Sequence, residues 1–175
     1  MEDSFRVESL LTLTSVRSSE WARTTTNTKL NTKKGTEKVG SIVYVAASSR
    51  EVPRVRVAIE RLRAAGHSVP DWTKDQERLP EWSKRDVVDD HAHRIAFRNY
   101  HAIRESDAFV LLAPPPHFNT RDAWVEFGYA LAHRIPALVS GPHARDAFAA
   151  RMATRIVGHD DAIVLAVEEV LRARR

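Results

Sequence analysis

Three short, unbroken apolar runs constrain this chain most: "SIVYVAA" from Ser41, "DAFVLLA" from Asp107 and "IPALVSG" from Ile135. A strand with one wet face alternates apolar and polar residues. A run that is apolar throughout belongs to a strand covered on both faces, as in parallel sheets flanked by helices. Segments of helical period separate these runs. In "SSREVPRVRVAIERLRAAG", Val55, Ala58, Ile59, Leu62 and Ala65 recur at helical spacing, Pro53 suits the first turn and Gly66 the end. "HSVPDW" reads as a second, short strand, and a long helix is expected from about Val87 to Glu105. "HARDAFAARMA" reads as a helix, "TRIVG" as a weak fifth strand and "DDAIVLAVEEVLRARR" as a final amphipathic helix.

Strands alternating with helices pair in parallel through right-handed crossovers. The expectation is an α/β fold, flavodoxin-like or Rossmann-like, with a doubly wound five-stranded parallel sheet in order 2-1-3-4-5. Ligands of such sheets bind beyond the carboxyl ends of the strands, near the switch point. Here that is the segment after Tyr44-Val45-Ala46-Ala47 and the segment after Ala113.

Residues 1–39 differ from the rest. They are rich in Thr, Ser, Lys and Asn with little apolar periodicity, so they are expected to form a disordered extension before a domain at 40–175. Among the 175 residues there is no cysteine, which excludes disulfides and thiolate metal sites and suits a cytoplasmic protein. No apolar run approaches the roughly 20 residues of a membrane span. The net charge of +4 comes without a recognisable nucleic-acid motif, so neither nucleic acid nor membrane is an expected partner.

The segment "NTRDAWVEFGYALA" carries the chemical question. Trp124, Val125, Phe127, Tyr129, Ala130, Leu131 and Ala132 cover most of the helix circumference, yet Glu126 lies among them. A buried carboxylate is costly unless it is paired or used. From the residues alone, Glu126 is either a semi-exposed surface residue or a functional group. Thr120 suits the N-cap and Asp122 the first turn, on the side of the helix that Glu126 shares. Gly128 costs about 1 kcal/mol relative to alanine in mid-helix, so a close approach of the sheet is expected there. His91 and His93 lie two apart, on opposite sides of a helix, and no HExxH is present, so no metal or other cofactor is expected. "AASSREVPR" offers hydroxyls at a helix start, a possible anion site, without the GxGxxG spacing of dinucleotide enzymes.

Taken together, "IVYVAASS", "VAIERLRAAGHSVPDW", "AIRESDAFVLLAPPP" and "DAWVEFGYALAHRIPALV" resemble the nucleoside 2-deoxyribosyltransferase superfamily, which includes 2'-deoxynucleoside 5'-monophosphate N-glycosidases. The resemblance spans about Ser41 to Gly141. It implies Glu126 as nucleophile, Tyr44 as the group that orients it, and Thr120 near the sugar or its 5' substituent. It further implies that Ser48, Ser49 and Arg50 take part in the nucleotide site. Trp72, Phe118 or Trp124 are candidates to stack on the base, and Asp122 joins the substrate side. The family places an Asp on the helix before the third strand, where it protonates or holds the leaving base; here that position is Asn99. An Asn hydrogen-bonds a base but is no general acid. Asp71, Asp89, Asp90 and His101 are the substitutes within reach of the same region.

The implied activity is cleavage or transfer at the N-glycosidic bond of a nucleoside or nucleoside 5'-monophosphate, by a homodimer without a cofactor. Two other readings remain: a TIR-like NAD glycohydrolase, which also relies on one Glu, and a nucleotide-binding protein whose turnover Asn99 has reduced or abolished.

Overall fold

A computed structural model describes residues 40–76, 85–118 and 121–175 of the chain. The expected N-terminal extension, 1–39, and Thr120 lie outside the described residues. Residues Lys38–Arg175 form one compact unit.

The apolar runs become strands β1 (Val43–Ala46), β2 (Ala108–Leu112) and β3 (Ala137–Ser140), each buried at every position. With β4 (Arg155–Val157) they form a parallel sheet in order β1-β2-β3-β4. Among the described residues four strands form, where five were expected. "HSVPDW" contributes a single parallel bridge, Ile42 to Ser68, on the outer side of β1. Val43 N donates to Ser68 O at 2.8 Å and Ser68 N to Ser41 O at 3.0 Å. Pro70, two residues on, has no N–H for a longer ladder.

Alternation along the strands divides the core into two layers. Val43, Val45, Val110 and Leu138 face helices α1 (Val52–Ala64) and α5 (Ile163–Ala173), against Val55, Ile59, Leu62, Ile163 and Val167. A short helix, α2 (Thr73–Gln76), follows the bridge segment. Tyr44, Phe109, Leu111 and Val139 take the other face, with Ile103 of α3 (Arg85–Arg104) and Ala123, Phe127 and Ala130 of α4 (Arg121–Ala132). The parity of β1 therefore sends Tyr44, alone among its polar-tipped residues, toward α3 and α4. No helix among the described residues is long and apolar enough to cross a membrane.

Two local expectations are corrected. "HARDAFAARMA" forms turns and a 3-10 helix, Phe148–Met152, instead of an α-helix. Its buried members are Ala144 and Ala150, while Phe148 and Met152 are exposed, so a regular helix would have no large apolar stripe to bury. Gly128 is exposed, and a Cβ there would meet nothing within 4 Å. Phe127 faces the sheet, and its neighbour Gly128 points away from it; no close approach accounts for the glycine.

The carboxyl edge of the sheet is tied together by Arg54, in the first turns of α1. All five of its guanidinium donors are used. Nε and Nη2 bond Asp160 at 2.6 and 3.1 Å, and Nη1 bonds Glu51 at 2.8 Å. The remaining two bond the carbonyls of Ala113 at 3.0 Å and Ser140 at 3.3 Å, just past β2 and at the end of β3. Burial alone would raise the Asp160 carboxyl, but hydrogen bonds from Arg54 and Ser140 hold it below its usual value. Gly141 makes room: its φ is +111°, and a Cβ there would collide with the guanidinium. Arg54→Ala strands two half-buried carboxylates, and a loss of about 2–4 kcal/mol is expected in urea unfolding at neutral pH. A loss below about 0.5 kcal/mol would show that the clamp does not hold this edge.

Candidate active site

Three elements on one side of the sheet bring three side chains together. β1 supplies Tyr44, which is buried with its ring stacked on Phe109 at 5.8 Å. α4 supplies Glu126, one turn after Asp122. α3, packed beside α4, supplies Asn99. Tyr44 Oη donates to Glu126 Oε1 at 3.2 Å, and Asn99 Nδ2 donates to the same oxygen at 3.2 Å. Oε2 receives no hydrogen bond among the described residues.

Both donors are neutral, so they orient the carboxylate without neutralising it. Burial raises the Glu126 carboxyl from its ordinary value of 4.5 to about 7; the Asn99 and Tyr44 hydrogen bonds pull it down, and the charge of Asp122 pushes it up. Tyr44 is pushed well above an ordinary phenol by burial first, then by the charge of Glu126 and by its bond to it, with Arg98 opposing. It therefore stays protonated and serves as a donor. Burial, then the charges of Glu126 and Asp122, also raise Tyr100, whose ring lies 4.8 Å from that of Tyr129 on α4.

The loop after β1 follows the strand that carries Tyr44. Ser48 is buried, and its hydroxyl accepts from Arg50 N at 3.2 Å, capping the 3-10 turn Ser49–Glu51. Ser49 and Arg50 are exposed. The Arg50 guanidinium lies 5.8 Å from the ring centre of Phe118, in the loop after β2, so the two loops meet through a cation–π contact. Trp72 is half-buried, with its indole N–H donated to Val45 O at 2.7 Å. Trp124 is half-buried and edge-on to Phe127 at 5.7 Å, which makes it mainly a core residue. Asp122 is exposed at the start of α4.

Of the residues weighed as a replacement acid, Asp71 is engaged by Thr73 Oγ1 at 2.6 Å and faces Arg63 at 3.6 Å. His101 is exposed, two residues from Asn99 and thus on the opposite side of α3. The side chains of Asp89, Asp90 and His91 lie outside the described residues. No group of three or more His, Asp or Glu among the described residues is arranged to hold a metal ion.

Two residues were not foreseen from sequence. Arg54 closes the α1 side of the carboxyl edge through Asp160, Glu51 and two backbone carbonyls. Its spacing from Glu51 was readable, but not its pairing with Asp160, 106 residues away. Tyr100, next to Asn99, faces the charges of Glu126 and Asp122.

No family model matches the sequence, and no curated protein matches it. Among solved structures, the chain is similar to a 2-deoxyribosyltransferase from the psychrotolerant bacterium Bacillus psychrosaccharolyticus. The TM-score is 0.55 and the identity 14%, over 71% of this chain and 90% of that one. The two share one fold. A CMP N-glycosidase from Clostridium botulinum aligns with TM-score 0.45 and 18% identity, over 73% of this chain and 98% of that one.

The raised carboxyl has a consequence for stability. A Glu126 that titrates near 7 when folded and near 4.5 when unfolded binds its proton more tightly in the folded chain. Its contribution is fully present below pH 4.5 and is lost as pH rises through 7. Glu126→Gln removes this dependence while keeping an acceptor for Tyr44 and Asn99. Between about pH 4.5 and pH 8, the wild type is expected to lose roughly 1–3 kcal/mol relative to the variant in urea unfolding. A constant difference across that range would contradict the raised carboxyl.

Proposed function

We propose that this chain breaks or exchanges the N-glycosidic bond of a nucleoside or nucleoside 5'-monophosphate, with Glu126 as the nucleophile. The observation that carries the reading is the convergence of Tyr44 and Asn99 on one oxygen of Glu126, which leaves the other oxygen for the substrate. The fold likeness to an enzyme named as a 2-deoxyribosyltransferase agrees with it.

Breaking the bond develops positive charge at C1' and the ring oxygen. A carboxylate beneath the ring stabilises that charge and traps it as a glycosyl ester. Tyr44 and Asn99 hold Oε1, so Oε2 attacks without reorganisation. Water, or a second base in a transfer reaction, then displaces Glu126 from C1'. Ser49 and Arg50, exposed in the loop after β1, suit the 5' group, and Arg50 brings Phe118 with it. Trp72 is fixed by its bond to Val45 and offers a rigid wall beside the sugar and base. We assign the same domain, 40–175, a homodimeric assembly, for which the exposed Phe97 and Val125 of α3 and α4 supply apolar surface.

The test is base release by the purified chain from ribo- and deoxynucleosides and their monophosphates. Glu126→Gln is expected to lower turnover by roughly 10³-fold or more. For the wild type, kcat/KM is expected to rise about tenfold from pH 6 to pH 8 as Glu126 ionises. Wild-type turnover by the Gln variant would dispose of Glu126 as nucleophile.

A further inference from the structure

The electron pair of a broken C1'–N bond goes to the leaving nitrogen. A neutral base then departs as an anion unless a proton reaches it, and an acid near the site normally supplies that proton. Among the described residues, the two that donate to Glu126 and the tyrosine beside them are poorly suited to do so. Asn99 carries no titratable proton, and one of its amide N–H groups is already donated to Glu126. Tyr44 directs its hydroxyl proton at the same carboxylate oxygen. Tyr100, the next residue on α3, packs on Tyr129 and holds its proton more tightly than an ordinary phenol.

The charge balance points the same way. Two neutral donors hold Glu126, and the carboxylate one turn away, Asp122, adds to its negative field. Arg98 of α3 is exposed and its charge is felt at Tyr44; neither hydrogen bond to Glu126 comes from it.

We propose that the site takes glycosides whose leaving ring is already cationic, an N-linked pyridinium such as nicotinamide or an N7-alkylated purinium, with Asn99 as the residue that sets this preference. The proposal rests on the reading of Glu126 as a nucleophile at C1'. In the first step a Glu126 Oε2–C1' bond forms and the C1'–N bond breaks. Its electron pair neutralises the ring, which departs as a neutral molecule with no proton transfer. In the second step water attacks C1', Glu126 leaves as a carboxylate, and the proton of the water goes to solvent. Because Asn99 is oriented through its amide nitrogen, its carbonyl remains an acceptor for an amide or amine N–H on the leaving ring. A cation above Glu126 also favours its ionised form, which a neutral base does not.

The experiment compares base release by the purified full chain from matched pairs, with spontaneous cleavage subtracted. The pairs are 7-methylguanosine against guanosine, and nicotinamide mononucleotide against cytidine and adenosine 5'-monophosphates. The 2'-deoxy forms of the neutral substrates are included. Expected is turnover of at least one cationic substrate about tenfold or more above its neutral counterparts, and the two cationic arms distinguish pyridinium from purinium. Asn99→Asp restores a carboxyl able to carry a proton, and is expected to move the cationic-to-neutral ratio about tenfold or more toward neutral bases. Neutral substrates cleaved as fast as cationic ones would overturn the preference and leave the Glu126 reading standing. An unchanged ratio in Asn99→Asp would overturn the role of Asn99. No cleavage of any substrate would overturn both readings.

Discussion

A carboxylate on an apolar helix, packed over an apolar sheet, is tolerated only if something donates to it. Here Tyr44 rises from the sheet and Asn99 comes from the neighbouring helix, and both reach Oε1 of Glu126. The pair fixes more than one side chain. It links β1, α3 and α4 through one carboxyl oxygen. It also leaves the carboxyl about as often protonated as ionised at neutral pH, since burial outweighs two neutral donors.

The contrast with Arg54 is instructive. Both centres put charge where the protein covers it. At Arg54, five donors meet two carboxylates and two carbonyls, so the two anions share one cation between them. The first arrangement is charge-assisted and serves the fold. At Glu126 the donors among the described residues are neutral, Oε2 receives none, and the carboxyl is raised, a combination more common at functional sites than elsewhere.

What could be read from sequence followed the range of the interaction. The unbroken apolar runs announced β1, β2 and β3 because burial on both faces is written in consecutive residues. The periodicities of α1, α4 and α5 are equally local. The bridge at Ser68 was misjudged as a strand because Pro70 limits pairing in a way that apolar content does not show. "HARDAFAARMA" read as a helix, yet Phe148 and Met152 within it are exposed, which depends on what the sheet leaves uncovered. Tyr44, Asn99 and Glu126 were named through the resemblance and the oddity of a carboxylate in an apolar helix. Their meeting at one oxygen could not be derived from residues 27 and 82 positions apart. Gly128 was assigned a packing role that its exposed position does not support.

In the proposed reaction, attack by Glu126 on C1' followed by a second attack on the resulting ester amounts to a double displacement. That claim is tested most directly by running turnover in the presence of methanol and determining the anomeric configuration of the methyl glycoside by NMR, since this product does not equilibrate. The account predicts retention of the substrate's configuration. An inverted methyl glycoside would mean a single displacement by solvent, and would contradict a covalent role for Glu126.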